Sequence, residues 1–435
     1  MLPEVNFNLT IQSEKIINPT KPEIRRGVIK LDEYRGIIGS HLFKEINSLA
    51  KDLRGLKVFH VNATSDGGGV AEILKSLVPL MRGVGLEVKW YNILPCPGFF
   101  DLTKRIHNAL QGKRIEFSRR DRDLYMRHME SMAKKMEDMR PDVWVIHDPQ
   151  PAGLISYLPR LCPMVWRIHI DTSGPNKKVW SFFQKIGDDY DRIIFTSKDF
   201  IGHGIPEKKI RIFSPAIDPI MKKNESMDLE IAKKIMKSLG INLSRPLAVQ
   251  VSRFDPWKDP MGVIRAYQEA KKEIPGLQLA LLGLLLAKDD PEAEKILKEV
   301  EKASGEDPDI FLFSRVSQIG NIKINDFVNA FQMAASVVLQ KSTKEGFGLS
   351  VTEAMWKGQP VIGGNVGGIK LQIKDGENGF LVNTCKEAAQ RMVELIKSPQ
   401  LKKKMGQEAK EIVREKFLIP RLLRDYLKMF KELVK

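Results

Sequence analysis

The sequence has few of the features that mark secreted, metal-binding or membrane proteins. Its three cysteines, Cys96, Cys162 and Cys385, are far apart and include no C-x-x-C pair. Neither a disulfide framework nor a zinc site is indicated, and a reducing cytoplasm is the simplest compartment. No apolar run approaches 18 residues, so no membrane span is expected. The first 20 residues lack a basic stretch followed by an apolar run, so no secretory signal is expected.

The chain is ordinary in hydrophobicity but unbalanced in charge. With 43% hydrophobic and 29% charged residues it is too apolar to be disordered. It has 70 Lys and Arg against 54 Asp and Glu, a net charge of +16, and basic proteins attract phosphate-bearing partners. The basic residues are spread along the chain, without the clustered face that nucleic-acid binding requires. Neither nucleic acid nor a membrane is therefore expected as a partner.

Short apolar runs alternate with longer amphipathic segments. Many of the runs are continuous, as in parallel strands that are covered on both faces. The predicted strands are Val58–Thr64, Val143–His147, Met164–Ile170, Ile193–Ser197, Leu247–Ser252, Leu277–Gly283, Ile310–Phe313, Val337–Gln340 and Pro360–Gly363. The predicted helices are Val70–Arg82, Arg122–Met139, Met261–Glu273, Pro291–Ser304, Asn325–Ala334 and Ser350–Lys357. This alternation predicts parallel sheets built from βαβ units.

The alternation breaks shortly after residue 215, which indicates a connection between two domains. A helix over Met227–Leu239 is predicted there, and no strand. We interpret residues 1–216 and 217–417 as two Rossmann-like domains. The last fifty residues are predicted to be helical, with interruptions at Pro399 and Pro420.

Three consecutive glycines, Gly67, Gly68 and Gly69, follow the first predicted strand and precede a helix. They let the backbone approach a ligand closely, and the free N–H groups of the helix start then face an anion. The spacing fits neither a dinucleotide fingerprint nor a P-loop. The alternative is a plain strand-to-helix turn, although three glycines are more than such a turn requires.

Two cations follow the first predicted strand of the second half. Arg253 and Lys258 lie at the carboxyl end of that strand, where open α/β sheets bind ligands. Arg253 could clamp a diphosphate with two hydrogen bonds, and Lys258 could act as a point charge. The alternative is a surface loop with two ordinary cations.

A glycine-bearing turn between two carboxylates enters the helix predicted from Ser350. Glu345 lies in the turn, Gly346 and Gly348 leave backbone N–H groups accessible, and Glu353 falls in the first helical turn. A carboxylate there can accept hydrogen bonds from two hydroxyls of a sugar such as ribose. The alternative for Glu353 is a capping box with Ser350 as N-cap, and for Glu345 it is an exposed loop residue.

Polar side chains also follow two predicted strands of the first half. His147, Asp148 and Gln150 lie at the end of one strand, and His169 lies at the end of the next. A lone histidine at a strand end is usually structural, but two such clusters favour a cleft at this edge. Their spacing does not match a metal motif such as H-E-x-x-H, so no metal site is predicted.

These motifs resemble those of a known family. The segment from Glu345 to Glu353 looks like the E-x7-E signature of retaining GT-B glycosyltransferases of the glycogen synthase and sucrose-phosphate synthase class. Arg253 and Lys258 match the donor-diphosphate pair of that class. A narrower resemblance, to the trehalose glycosyltransferring synthases, covers nearly the whole chain. It is carried by Thr64–Leu74, Phe99–Gly112, His147–Ala152, Trp166–Asn176 and Ser252–Pro260.

The resemblance implies an α/β fold of the GT-B type, with two Rossmann-like parallel-sheet domains facing a central cleft and helix 418–435 crossing back to the first domain. It implies transfer of glucose, with retention, from ADP-, UDP- or GDP-glucose to free glucose, giving α,α-trehalose in a reaction expected to be reversible. No cofactor is essential, since the nucleoside-diphosphate glucose is a substrate. The partners implied are small-molecule sugars and sugar nucleotides, and a homodimer stays open.

The resemblance also implies roles for individual residues. The implied catalytic residues are Arg253, Lys258, Glu345 and His169. The implied donor-binding residues are Gly68, Gly69, Arg253, Lys258, Gly346, Phe347, Gly348, Leu349 and Glu353. The implied acceptor-binding residues are Asp66, Lys104, Asp148 and Gln150. In this scheme Arg253 and Lys258 neutralise the leaving diphosphate, and Glu353 binds the ribose.

Three alternative functions stay open. The nearest is a retaining GT-B enzyme with another acceptor, of a sucrose type or a glycan. The second is a protein of the same fold that binds or epimerises a sugar nucleotide without needing free glucose. The third is a basic nucleic-acid-binding protein, which would leave the glycine loop and the E-x7-E turn unexplained.

Overall fold

The computed structural model of the chain describes residues 27–65, 68–94, 96–284 and 291–434. These residues form two parallel sheets with helices packed against them, which confirms the predicted α/β class. Within this part of the chain, none of the helices combines the length and the apolar composition that a membrane crossing requires.

The first sheet is built from six parallel strands. They are β1 Lys57–Asn62, β2 Glu87–Asn92, β3 Val143–His147, β4 Met164–Arg167, β5 Arg192–Phe195 and β6 Ile210–Ile212. The helices of this half are α1 Ser40–Asp52, α2 Gly69–Gly83, α3 Phe99–Leu110, α4 Arg119–Lys134 and α5 Lys177–Gly187. The strand order is β2-β1-β3-β4-β5-β6. The order reverses between β1 and β3, so the carboxyl ends of these strands flank a ligand-binding switch point.

The second sheet also has six parallel strands. They are β7 Leu247–Val251, β8 Gln278–Leu282, β9 Ile310–Phe313, β10 Val337–Gln340, β11 Val361–Gly364 and β12 Gly379–Val382. Helix α6, Leu229–Ser238, precedes the sheet. The helices that follow are α7 Pro260–Glu273, α8 Pro291–Ser304, α9 Ile324–Ala334, α10 Leu349–Trp356, α11 Cys385–Lys397 and α12 Pro399–Lys416. The order β12-β11-β10-β7-β8-β9 is that of a dinucleotide-binding fold, with its switch point between β7 and β10.

The last helix, α13 Ile419–Leu433, packs against α1 and α2 of the first half. Two backbone hydrogen bonds lead into it, from Ile217 N to Phe417 O and from Ile419 N to Ile217 O, both 2.9 Å long. A buried apolar cluster includes residues from one face of the first sheet, from this helix and from one face of the second sheet. The domain limits at residues 216 and 417 stay a prediction.

The strands missed in the sequence are β2, β6 and β12, and each lies at a sheet edge. The fourth edge strand, β9, is a continuous apolar run and was predicted, whereas the three missed strands give a weaker apolar signal. In β2 the residues Glu87 and Lys89 are exposed, all three residues of β6 are half-buried, and β12 begins with Gly379. Helices α1, α3 and α5 were not predicted either.

Candidate active site

The loops at the carboxyl ends of the two sheets lie close to each other. A Cβ atom placed on Gly346, in the loop after β10, would lie 3.3 Å from the backbone oxygen of His169, just after β4. A Cβ atom on Gly69, the first residue of α2, would lie 3.4 Å from Cδ1 of Leu349, the first residue of α10. The fold therefore brings together motifs that are more than 170 residues apart in the sequence.

The glycine loop ends at the N-terminus of α2. Gly68 is the N-cap, with a φ of 103° that favours glycine. Asp66 and Gly67 lie outside the described residues, so the acceptor role of Asp66 stays a prediction. Because Gly69 contacts Leu349, helices α2 and α10 begin beside each other. The backbone N–H groups at the N-termini of α2 and α10 therefore lie close together, and this arrangement favours the binding of an anion.

The helix after the E-x7-E turn begins earlier than expected. Gly348, with a φ of 84°, is the N-cap of α10, and the helix has no side-chain cap. The alternative of a capping box is therefore wrong, because the left-handed glycine ends the turn two residues before Ser350. The Ser350 hydroxyl instead donates to Gln340 Oε1 at 3.0 Å. Glu353 is the fifth residue of α10 rather than a first-turn residue.

The side chain of Glu345 is held inside the turn and is only 9% exposed. Its Oε2 contacts the Lys258 ammonium and accepts a 3.2 Å hydrogen bond from the Ser342 hydroxyl. A Cβ atom on Gly348 would lie 3.2 Å from Glu345 Cγ, so the turn folds closely over the carboxylate. The alternative of an exposed loop residue is wrong for Glu345.

Residues after β11, which sequence reasoning missed, fix this turn. Gly368 N donates to Glu345 O at 3.1 Å, and a Cβ atom on Gly367 would lie 1.9 Å from the same oxygen. The buried Gln372 side chain donates to Phe347 O at 2.6 Å. The two glycine pairs that follow a predicted strand were the available signal.

Glu353 lies in a buried cluster with a lysine that the sequence analysis did not single out. Lys223 Nζ is 2.6 Å from Glu353 Oε1, and it also contacts Glu72 in the first turn of α2. Burial raises the pKa of Glu353, while burial alone would lower the pKa of Lys223. The two carboxylates reverse this and raise the pKa of Lys223. Burial lowers the pKa of the neighbouring Lys357 to about 8.

Cations line the carboxyl ends of β7 and β10. The Arg253 side chain is 74% exposed, whereas Lys258 is 20% exposed and paired with Glu345. Lys341, directly after β10, is buried and paired with Asp259, the N-cap of α7. The predicted pair therefore lies at the switch point of the second sheet, with Arg253 as its exposed member.

At the corresponding place the first sheet presents groups whose burial favours their neutral forms. His60 Nδ1 is 2.9 Å from His147 Nε2, and His147 Nδ1 is 3.0 Å from His169 Nε2. Burial lowers the pKa of all three imidazoles, that of His60 to about 3. Asp148 Oδ1 accepts a 2.8 Å hydrogen bond from His169 N, and burial raises the pKa of Asp148 to about 7. His60 was not predicted as part of the site.

The remaining candidate residues lie on separate elements. Gln150 follows β3, and its buried Oε1 has no hydrogen-bond partner among the described residues. Lys104 is exposed on α3. At the end of the same helix, Gln111 O accepts a hydrogen bond from Lys344 Nζ of the second half. The described residues include no group of three or more His, Cys, Asp or Glu side chains placed to hold a metal ion.

Comparison with known proteins supports the resemblance in both halves. Residues 60–202 match the N-terminal domain of trehalose synthase, and residues 232–412 match the glycosyl transferases of group 1. The trehalose synthase of Rubrobacter xylanophilus is 44% identical over 411 residues, which cover 93% of this chain and 97% of the relative. That of Pyrococcus horikoshii is 42% identical over 412 residues, covering 94% and 98%.

Solved structures share the fold at low sequence identity. An α,α-trehalose-phosphate synthase (UDP-forming) from Burkholderia xenovorans, in complex with glucose-6-phosphate, aligns with a TM-score of 0.70 and 13% identity, covering 87% of this chain and 100% of that chain. The sucrose-phosphate synthase of Thermosynechococcus elongatus aligns with a TM-score of 0.66 and 16% identity, covering 87% and 99%. These neighbours confirm the GT-B architecture. The chain belongs to the trehalose synthase family of glycosyltransferases.

Proposed function

We propose that this chain is a retaining glucosyltransferase that moves glucose from a nucleoside-diphosphate glucose to free glucose, yielding α,α-trehalose. The observation that carries the proposal is the meeting of a cationic strand edge with a neutral, hydrogen-bonding one, where Gly346 approaches His169. A sugar nucleotide has the same two halves, a charged diphosphate and an uncharged sugar. The identity of 44% to a trehalose synthase over nearly the whole chain supports the choice of product.

In this proposal the second sheet holds the donor. The exposed Arg253 and the less exposed Lys258 neutralise the diphosphate, with help from the N-termini of α2 and α10. Gly68 and Gly69 let the diphosphate approach the backbone, and the turn from Gly346 to Leu349 offers its N–H groups. Glu345 accepts hydrogen bonds from the donor glucose, and Glu353 accepts them from the ribose. Glu345 and Glu353 would then each contact both a lysine and the substrate.

The first sheet holds the acceptor glucose in this scheme. Asp148 and Gln150 lie at the end of β3. The Oε1 of Gln150, which has no hydrogen-bond partner within the described part of the chain, would accept a hydrogen bond from a sugar hydroxyl. Lys104 on α3 and Asp66 in the glycine loop would complete this side. His169, next to Gly346, would face the donor glucose.

The chemistry follows from the charges at the two edges. The bond between the anomeric carbon and the phosphate oxygen breaks, and the cations stabilise the negative charge that develops on the leaving diphosphate. The acceptor hydroxyl attacks the face that the diphosphate is leaving, so the configuration is retained. Its proton passes to a departing phosphate oxygen. No side chain needs to become a covalent nucleophile.

Product analysis tests the proposal. The protein is incubated with ADP-, UDP- or GDP-glucose, each with and without free glucose, in the presence and absence of a chelator. We expect release of nucleoside diphosphate that depends on glucose, together with a non-reducing disaccharide. Turnover without glucose, or transfer only to another acceptor, would overturn the acceptor assignment.

A pair of variants distinguishes a loss of catalysis at the site from a general effect of removing a carboxylate. Glu345→Gln removes the charge beside Lys258, whereas Glu377→Gln alters an exposed carboxylate that pairs with Lys374 on the surface. We expect the first variant to lose about 100-fold or more in kcat, the scale of a lost electrostatic contact in a transition state. The second should retain full activity. Equal activity in both variants would contradict the donor site.

A further inference from the structure

Three imidazoles form a continuous hydrogen-bonded chain in the first half. His60 lies on β1, His147 ends β3, and His169 follows β4, so the chain crosses the switch point of the sheet. The contacts are 2.9 Å from His60 Nδ1 to His147 Nε2 and 3.0 Å from His147 Nδ1 to His169 Nε2. The ring planes of neighbouring imidazoles are close to parallel, with interplanar angles of 29° and 21°. The catalytic scheme above uses only His169.

A chain of neutral imidazoles has only two consistent arrangements of protons. Each neutral ring carries one N–H and one lone pair, and each contact needs one of each. If His60 carries its proton on Nδ1, then His147 and His169 must carry theirs on Nδ1 as well. If His60 carries it on Nε2, both of the other rings must carry theirs on Nε2. The tautomer of His169 is therefore tied to that of His60, two strands away.

The buried end of the chain decides between the two arrangements. His60 Nε2 is fully buried and has no hydrogen-bond partner among the described residues. An orphaned buried N–H group is rarer in proteins than an unpaired acceptor. The proton is thus favoured on Nδ1 of His60, and His60 then donates to His147.

Charged groups around the chain keep it neutral. The Arg167 guanidinium, buried on β4, adds to the effect of burial in lowering the pKa values of His147 and His169. Arg82 acts in the same direction on His60. Near His60, the aromatic ring of Tyr426 from α13 lies edge-on, 6.2 Å away between ring centroids. None of these three side chains is a hydrogen-bond acceptor for His60 Nε2 in the structure.

We infer that His60 and His147 are positioning residues that fix His169 as the Nδ1–H tautomer, so that its free nitrogen donates a hydrogen bond to a substrate hydroxyl. The inference deepens the proposed function and rests on it for the identity of that hydroxyl as one of the donor glucose. The tautomer itself does not depend on the substrate. The N–H group of His169 can donate a hydrogen bond to the oxygen of a sugar hydroxyl. It cannot form a hydrogen bond with a group that has no acceptor atom.

Nuclear magnetic resonance of the full chain tests the inference directly. The protein has seven histidines, so ¹⁵N-histidine labelling gives a small set of ring signals. Long-range ¹H–¹⁵N correlations at pH 7, without substrate, distinguish the two tautomers. His41→Phe, an exposed site on α1, shows that one signal can be removed without changing the others. We expect Nδ1–H for His60, His147 and His169. An Nε2–H signal from His169 overturns the inference.

Two variants then distinguish a role of His60 in positioning His169 from a role in core packing alone. His60→Phe preserves ring volume but removes the donor to His147, and we expect the His169 signal to become a mixture of tautomers. We expect kcat to fall by about 5- to 10-fold, the value of roughly one hydrogen bond, with KM for glucose changed less than twofold. His203→Phe, at an exposed histidine beside Trp180, should leave both the His169 signal and kcat unchanged.

Each outcome bears on one claim. An Nδ1–H signal from His169 that persists in His60→Phe contradicts the role of His60. If that variant proves too unstable to purify, the wild-type spectrum still decides the tautomer. If the wild-type tautomers are as expected but the protein makes no trehalose, the proposed function fails and the proton arrangement stands.

Discussion

The two sheet edges that form the site differ in charge while sharing their architecture. At the second sheet the polar residues are ion pairs, Lys258 with Glu345 and Lys341 with Asp259. At the first sheet, burial lowers the pKa of each histidine in the chain and raises that of Asp148 to about 7. One edge has fixed charges, and the other has groups that favour their neutral forms.

In the proposed function, this difference lets one fold, used twice, bind two kinds of ligand. Charged groups bind a diphosphate strongly, but they stay solvated or paired until it arrives. Neutral donors and acceptors match sugar hydroxyls, which carry no charge to compensate. Ion pairs compensate for the desolvation of the polar groups at the second sheet. Hydrogen bonds between side chains compensate for it at the first sheet. Four substitutions test this contrast.

The largest effect is expected where an ion pair joins the two halves. Lys223→Met leaves Glu353 and Glu72 without their cation, and breaking a buried ion pair by removing one partner costs about 3–5 kcal/mol. Urea unfolding measures this change. Lys222→Met, at a lysine whose side chain is 74% exposed and pairs with Glu225, should change stability by less than about 0.5 kcal/mol. A loss below 1 kcal/mol in Lys223→Met would mean that Glu353 does not need the cation.

The second effect concerns the exposed cation. Arg253→Ala should lower kcat by about 100- to 1,000-fold, because it removes charge stabilisation of the leaving group, while KM for glucose changes less than threefold. Steady-state kinetics with both substrates varied measures the split. Arg414→Ala, at a half-exposed arginine of α12 paired with Glu411, is the matched control. Equal losses in kcat and in glucose affinity would contradict the assignment of Arg253 to the donor side.

The third effect is a pH dependence on the neutral edge. The folded pKa of Asp148 is about 7, above its ordinary value of 3.8, so folding favours the protonated carboxyl. That stabilisation is present below pH 4 and is lost as the pH rises through 7. Asp148→Asn should therefore gain stability relative to wild type between pH 4 and 7, by at most about 1.4 kcal/mol per pH unit. Urea unfolding without sugar measures it, and a constant difference across this range would show that Asp148 is ionised throughout.

The charged edge was easier to predict from the sequence than the neutral one. Glu345, Gly348 and Glu353 are neighbours in one motif, and Arg253 with Lys258 directly follows a predicted strand. The histidine chain has no such local signal. His60 and His147 are 87 residues apart, and His147 and His169 are 22 apart. Only the order β1-β3-β4 makes these residues neighbours.

The central strands were predicted and three of the four edge strands were missed for a related physical reason. A central strand such as Val143–His147 is buried throughout and reads as a continuous apolar run. The edge strand Glu87–Asn92 alternates buried and exposed residues at its start. The partners of the ion pairs, such as Lys223 in the connection between the sheets, depend on how the two halves meet. No local pattern contains that information.

The smallest effect is expected where the two edges are joined by one hydrogen bond. Lys344, beside Glu345, donates across the site to Gln111 O at the end of α3, and burial lowers the pKa of this lysine. Lys344→Met should raise KM for both donor and glucose by about 5-fold, the value of roughly one hydrogen bond, because the contact holds both halves around the substrates. Lys403→Met, at an exposed lysine of α12, should change neither KM. A rise in only one KM would show that Lys344 serves one edge alone rather than joining the charged and the neutral sides.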